Sequence, residues 1–231
     1  MRFGTRGSDS SWVDIVWTCT IDDVTEMTSV AAVCWGLVFF ERDGVTHASV
    51  TGPETATGTA PVPEGASFMG IEFAVGTFLR RTPTRDLVDG GIELPDTTRR
   101  TFRLDGVRWE RPGPDDAEAL VDRLVRAGVV DRDPLVAAVR RGERPDVSPR
   151  TLERRFRAAT GLTQGAVRQI ERAREAARNL IAGAAVADVV VEGHFVDEPH
   201  LARALKRYVG RTARQLREND TSAIALAQRT S

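Results

Sequence analysis

Two arginine-rich segments in the second half of the chain carry side chains suited to binding a polyanion. In the stretch FVDEPHLARALKRYVGRTARQLR, the spacing of Leu201, Leu205 and Tyr208 predicts one buried helix face, which leaves Arg203 and Lys206 on the opposite face. Such cations bind phosphates, and an arginine also recognises guanine. A solvated surface helix and a helix lying in a DNA groove both fit this pattern, so the surrounding segments have to decide between them.

A second segment of the same kind precedes it, VSPRTLERRFRAATG. Ser148 is a suitable N-cap, Pro149 a suitable first helical residue, and Gly161 a suitable end. The residues predicted to pack inward are Leu152, Phe156 and Ala159, and those predicted to point outward are Arg150, Arg154 and Arg157. The long helix predicted from Thr163 to Ala182 is about 30 Å long, which suits two helices entering successive major grooves about 34 Å apart.

Other kinds of chemistry find little support in the residues. The chain has 3 histidines, and a cupin-like metal centre needs several of them clustered with a carboxylate, whereas His47 is the one histidine of the first half. No nucleophile-elbow motif and no glycine-rich phosphate loop after a strand is present. We therefore expect no catalytic residues, no metal site, no cofactor and no enzymatic activity.

The charge divides the chain into two parts. Residues 1–132 contain 14 arginines and 21 acidic residues, a formal charge of −7, whereas residues 133–219 contain 17 basic and 11 acidic residues, a charge of +6. No apolar run approaches the ~20 residues of a membrane span, and the two cysteines, Cys19 and Cys34, are too few for a disulfide framework. These features predict a cytoplasmic protein with no membrane contact, in which an acidic regulatory part joins a basic part.

The fold class predicted from hydrophobic periodicity is α+β. Short apolar runs such as Ser11 to Ile21 and FMGIEFAV read as strands, and Asp43-Gly44 and Asp105-Gly106 read as hairpin turns. Thr51 to Ser67 is predicted to be a loop and FLRR a short helix. Together these signals predict an N-terminal β-rich sandwich or open barrel, of which a cupin-like barrel is one form.

The period changes to that of a helix at Pro114. We predict four parts: residues 1–112 as a β-rich sensor or dimerisation domain, 113–132 as a linker helix, 133–219 as an all-α DNA-binding domain and 220–231 as a frayed tail. Within the third part, a short helix ends near Gly193 and Asp197 caps the next one. A helix, a short turn and a second helix with a basic outer face form the helix-turn-helix plan, in which the second helix enters the major groove.

The spacing of these residues resembles the double helix-turn-helix domain of AraC-type transcription regulators. The residues that carry the resemblance are Ser148, Leu152, Arg154, Phe156, Gly161, Phe195, Arg203, Lys206 and Gly210. The resemblance implies double-stranded DNA as the partner and places the contacts on two helices. The predicted DNA-binding residues are Arg150, Glu153, Arg154, Arg157, Glu198, Pro199, His200, Arg203, Lys206 and Arg207.

The chain departs from the family pattern in three places. The first unit is truncated before Ser148, the glycine of the second turn is replaced by His194 with Gly193 one place early, and the usual closing proline is Ala213. His194 is among the residue types that tolerate positive φ. The N-terminal half resembles more weakly the sensor-like β domain found ahead of such domains, mainly in FMGIEFAVGTFLRRTPTRDLVDGGIEL.

Several roles stay open at this stage. Glu153 fits a surface pair with Arg157 or a contact to cytosine, and His200 fits a phosphate or a base contact. All four tryptophans lie in the predicted β-rich domain, residues 1–112, which we call the β half: Trp12, Trp17, Trp35 and Trp109. They fit an aromatic core, a dimer contact or a pocket for a small-molecule effector. The predicted function is a sequence-specific DNA-binding transcription regulator controlled through a ligand or a homodimer contact. A nonspecific architectural DNA-binding protein, and a ligand-binding or enzymatic β domain whose helical half contacts proteins, are the alternatives.

Overall fold

A computed structural model describes residues 2–23 and 25–218. The predicted frayed tail, residues 220–231, lies outside the described residues. The strands of the described residues are β1 (Arg2–Gly7), β2 (Val13–Thr20), β3 (Thr25–Thr28), β4 (Gly36–Arg42), β5 (Val45–Thr51), β6 (Thr59–Val62), β7 (Ser67–Phe73), β8 (Thr77–Leu79), β9 (Gly91–Glu93), β10 (Thr101–Leu104), β11 (Val107–Glu110) and β12 (Val130–Arg132).

Six of these strands form an antiparallel sheet in the order β1-β2-β7-β4-β5-β9. The strands β10 and β11, β8 and β12, and β3 and β6 form three separate two-stranded ribbons. Burial alternates along β4 and β5, so that Leu37, Phe39, Ala48 and Val50 are buried on one face. In the part of the chain that the structure describes, the large sheet is open, with β1 and β9 as its edges.

The two predicted hairpin turns are confirmed. Asp43 and Gly44 both adopt positive φ, 54° and 73°, and connect β4 with β5. Asp105 and Gly106, with φ of 55° and 78°, connect β10 with β11 in the same way. Two successive residues with positive φ give the turn whose twist matches that of the flanking strands.

Two local predictions are wrong. Residues Thr59–Val62, predicted as loop, form β6 and pair with β3; Pro61 is tolerated because this ribbon has a free side that needs no N–H donor. The FLRR segment is not a helix, because Phe78 and Leu79 belong to β8 and pair with β12. Both pairings join segments far apart in the sequence, which local patterns do not reveal.

The α-helices begin after β11 and, apart from β12, make up the rest of the described elements. They are α1 (Ala117–Arg126), α2 (Pro134–Arg140), α3 (Pro149–Thr160), α4 (Gln164–Ile181), α5 (Val186–Glu192), α6 (Glu198–Tyr208) and α7 (Ala213–Arg217); a short 3-10 helix covers Thr84–Leu87. A β-rich first half followed by a helical second half confirms the α+β class.

Helix α1 packs against the large sheet. Its side chains Leu120, Val121 and Leu124 are fully buried in the hydrophobic cluster that also contains Phe39 and Phe102. This segment is the predicted linker helix, and its apolar stripe completes the core of the β half. The division of the chain into domains stays a prediction.

The helical half is docked on the β half through a shared hydrophobic core. Val30, Ala31 and Val33, which precede β4, pack in the same cluster as the buried residues of α4, α5, α6 and α7. The backbone N–H of Ala31 donates to the carbonyl of Tyr208 at 2.8 Å, and that of Thr57 donates to the carbonyl of Arg207 at 2.8 Å. The last turn of α6 is therefore fixed to two loops of the β half.

Candidate nucleic-acid interface

Helices α5 and α6 form a compact helix-turn-helix unit. The side chain of Asp197 caps α6 by accepting from the backbone N–H of His200 at 2.7 Å, as the sequence predicts. Leu201, Leu205 and Tyr208 are buried, which confirms the predicted inward face. This packing fixes α6 against α4 and orients the opposite face of α6 toward solvent.

The turn between α5 and α6 depends on two neighbouring residues. Gly193 ends α5, and a Cβ atom built on it would lie 2.6 Å from Cε2 of Phe195 and 2.7 Å from the carbonyl oxygen of Val189. His194 adopts the left-handed conformation, with φ of 54°. The close approach therefore requires glycine at 193, while the histidine occupies the left-handed position, as expected for a residue that tolerates it.

Replacing His194 with glycine is expected to stabilise the protein. Glycine adopts positive φ freely, so His194→Gly relieves strain that exceeds the entropy lost on ordering a glycine, a net gain of roughly 1 kcal/mol. The matched variant Gly193→Ala places a methyl group against Phe195 and costs about 1–3 kcal/mol. Urea unfolding measures both changes, provided that the slope of the unfolding free energy against urea concentration is the same in each variant. A loss of stability in His194→Gly would show that the imidazole itself holds the turn.

The outward face of α6 carries most of the residues predicted to contact DNA. Those that are exposed are Glu198, Pro199, Arg203, Lys206 and Arg207. His200 is half-buried; its Nδ1 accepts from the backbone N–H of Val196 at 3.3 Å, and its ring meets the ring of Phe195 edge-on. His200 therefore helps to build the turn, and its contact with DNA stays a prediction.

The first predicted unit has a different form. Helix α3 begins at the Ser148 cap and ends at Gly161, with φ of 72°, as predicted. Its buried residues Phe156 and Ala159 pack with Val136 of α2, but residues 141–148 separate the two helices without a third helix. Within the described residues, α2 and α3 therefore do not form a second short helix-turn-helix, which agrees with the truncation recognised before Ser148.

The outward residues of α3 share one shallow surface depression. Arg150, Arg154 and Arg157 are exposed there beside Glu153. One carboxylate oxygen of Glu153 lies 3.4 Å from Nε of Arg157, and the other accepts from the backbone N–H of Gln164 at 3.3 Å. Glu153 thus joins α3 to the start of α4, and its predicted reading of a base remains untested.

The structure adds Val196, near the start of α6, to the residues that are candidates for contacting DNA. Its side chain is 85% exposed although it directly precedes the helix cap. A valine at this place usually packs back onto its helix. An apolar side chain at the tip of such a helix suits a thymine methyl group. In the sequence, the signal is that Val196 does not align with the buried face formed by Leu201, Leu205 and Tyr208.

The four tryptophans lie apart from this surface. Trp35 and Trp109 are buried, and their indole N–H groups donate to backbone carbonyls of Thr77 and Leu104. Trp12 packs at the edge of the same cluster, whereas Trp17 belongs to another cluster, where it stacks on Phe3. The four residues thus belong to two separate hydrophobic clusters, and their role in ligand binding stays a prediction.

His47 has a contact with a carboxylate on the sheet surface. Its Nδ1 lies 2.7 Å from a carboxylate oxygen of Glu93, and its ring stacks on Phe40.

Over residues 2–23 and 25–218, no helix is long and apolar enough to cross a membrane.

Comparison with known proteins assigns the helical half. A family model described as a helix-turn-helix domain matches residues 143–219, about one third of the chain, and this stretch contains α3 to α7. The domain is of the AraC type, a DNA-binding class found in transcription regulators. No curated protein and no solved structure matches the chain. The match supports DNA as the partner of the helical half and a DNA-binding transcription regulator as the class of protein.

Proposed function

We propose that this protein is a sequence-specific transcription regulator in which α6 reads base edges in the major groove. The observation that carries the proposal is the outward face of α6, where Arg203, Lys206 and Arg207 are exposed on a helix whose other face is buried. The second helix of a helix-turn-helix enters the groove with its N-terminal residues at the bases. Glu198, Pro199, His200 and Arg203 therefore contact bases, and Lys206 and Arg207 contact phosphates.

Helix α3 supplies a second contact surface on the same DNA. The 18 residues of α4 between α3 and α5 make a rod about 27 Å long. This length is comparable with the ~34 Å repeat of the major groove. Arg150, Arg154 and Arg157 on α3 then reach the neighbouring groove or its phosphates while α6 occupies the first.

The β half controls DNA binding by α3 and α6 through a small-molecule effector or a homodimer contact. Loops of the β half hydrogen-bond to the last turn of α6 at Arg207 and Tyr208. A change in these loops shifts α6 relative to α3, because the shared core around Ala31 transmits it. Such a coupling between two sites alters both binding equilibria by the same factor.

Selection of bound duplexes from a random pool tests the proposed function. We expect an enriched sequence that the full-length protein binds at least about a thousandfold more tightly than a scrambled duplex at physiological salt. A ratio close to one would assign a nonspecific architectural role. Failure to bind any duplex at low salt would make the helical half a protein-contact module instead.

Arg203→Ala is expected to weaken binding to the selected duplex about tenfold, within the ~1–3 kcal/mol of a good guanine contact. The preference at one base pair should relax while the others persist. Binding competition against single-base variants of the duplex measures this. Arg108→Ala, which removes an exposed arginine of the β half, is the control. A uniform loss over all duplexes would reassign Arg203 to a phosphate.

A further inference from the structure

A cleft of about 590 Å³ lies between the two halves of the molecule. The large sheet, with Asp14, Cys34 and Glu72, forms one wall, and the middle of α4, with Glu171 and Arg174, forms another. The C-terminal end of α2 closes a third side. Small-molecule sites typically have volumes of ~300–1,000 Å³ and lie where such units meet. We call this space the junction cleft.

The junction cleft is lined mainly by charged residues with a positive excess. Its arginines are Arg132, Arg140, Arg141, Arg172, Arg174 and Arg178, and its carboxylates are Asp14, Glu72, Glu171 and Glu175. Six arginines against four carboxylates leave a formal excess of two positive charges. A polar cleft of this composition does not suit an apolar ligand, but it suits a small molecule with two or more negative charges.

Some of these arginines are already paired within the protein. Arg140 forms an ion pair with Glu171 at 2.6 Å, and Arg178 forms one with Glu175. Arg174 lies 3.8 Å from Glu72, across the cleft, and burial raises the pKa of that glutamate. These pairs fix the walls of the cleft.

Arg132 and Arg172 differ from the paired arginines. Among the described residues neither forms an ion pair, and the buried Nε–H of each lacks an acceptor, although Nη1 of Arg132 donates to the carbonyl oxygen of Ser11 at 2.8 Å. Burial, and then the neighbouring charge of Arg141, lower the pKa of Arg132. The like charges of Arg132 and Arg141 repel one another, and an anion bound between them would offset this repulsion through charge-assisted hydrogen bonds, which are the stronger kind.

One arginine of the cleft connects it to the helix-turn-helix. Arg172 donates to the carbonyl oxygen of His194 at 3.2 Å, and its guanidinium lies 4.5 Å from the ring centroid of Phe195. Both residues belong to the turn that orients α6. An anion that attracts Arg172 into the cleft therefore competes with the contacts that hold this turn.

We propose that the junction cleft is the effector site of this regulator and binds a small molecule with at least two negative charges, carried by phosphate or carboxylate groups. Arg132 and Arg141 on one side and Arg172 on α4 hold the anion. Its binding pulls Arg172 away from the turn and changes the DNA affinity of α6. The effector role rests on the proposed function, whereas the anion site itself does not.

Isothermal titration calorimetry of the full-length protein at constant ionic strength tests the site, with pyrophosphate and citrate as probes. We expect one saturable site per chain for at least one probe, and the stronger probe distinguishes a phosphate from a carboxylate effector. Arg141→Gln should weaken it about tenfold, because it removes a charge-assisted hydrogen bond to the anion. Arg132→Gln should do the same. Arg108→Gln, with the same charge change on the exposed surface of the β half, should bind like the unaltered protein.

Two outcomes overturn the site. One is a flat isotherm with both probes, and the other is binding that is equal in Arg108→Gln, Arg132→Gln and Arg141→Gln. Arg141 has a largely exposed side chain paired with Glu143, so its replacement leaves the fold intact if Arg132→Gln proves unstable.

The coupling is measured by duplex affinity with and without the stronger probe. Competition for the DNA surface would persist in Arg141→Gln, whereas an effect through the cleft should disappear there. Specific duplex binding with no anion site refutes this inference alone. A saturable anion site in a protein that binds no duplex refutes the proposed function and the effector role, but not the site.

Discussion

A fragment that ends at Pro112 is expected not to fold cooperatively, because it lacks the helix that completes the core of the β half. Leu120, Val121 and Leu124 of α1 are each 0% exposed and pack against the large sheet. Burial of each such side chain contributes roughly 1.5–3 kcal/mol, so three of them contribute about 6 kcal/mol. The whole stability of a domain is typically ~5–15 kcal/mol, and the loss of α1 removes a large part of it.

Urea unfolding followed by tryptophan emission measures this effect, since all four tryptophans lie in residues 1–112. The matched control is a fragment that ends at Arg132, which retains α1 and the β12 partner of β8. We expect a single cooperative transition for the longer fragment and a broad, shallow one for the shorter. A cooperative transition of similar slope in both would support the predicted boundary at Pro112 and separate α1 from the β half.

Features set by neighbouring residues were predictable from the sequence. The Asp43-Gly44 turn needs two residues that accept positive φ, and the Ser148 and Asp197 caps need a short oxygen-bearing side chain. The exposed basic face of α6 follows from the spacing of Leu201 and Leu205, since the buried stripe defines the opposite side. Each of these signals is contained within one element or turn.

Features set by distant residues were not predictable. The pairing of Leu79 with Val130 makes a strand of a segment that reads as helix, and no local pattern contains it. The junction cleft brings Asp14, Glu72, Arg132 and Arg172 together from four separate segments. Along the sequence these are ordinary surface residues. They line one cleft because Val30 and Ala31 dock the helical half on the sheet.

DNA binding is expected to weaken about 150-fold when monovalent salt rises from 50 to 200 mM. The exposed cations of the two outward faces are Arg150, Arg154, Arg157, Arg203, Lys206 and Arg207. If about four of them neutralise phosphates, log affinity falls against log salt with a slope near −3.6, since each contact contributes about −0.9. A fourfold rise in salt then gives the stated loss, equivalent to ~3 kcal/mol.

The slope, measured by fluorescence anisotropy with the selected duplex, also separates the roles of individual residues. Lys206→Gln should reduce its magnitude by about 0.9 and weaken all duplexes alike, because a phosphate contact carries no sequence information. Arg108→Gln makes the same charge change on the β half and should leave the slope unchanged, which isolates contact from overall charge. A slope near zero would remove the phosphate contacts from the proposal. A normal slope that Lys206→Gln and Arg154→Gln both leave intact would place the DNA on a face other than α3 and α6.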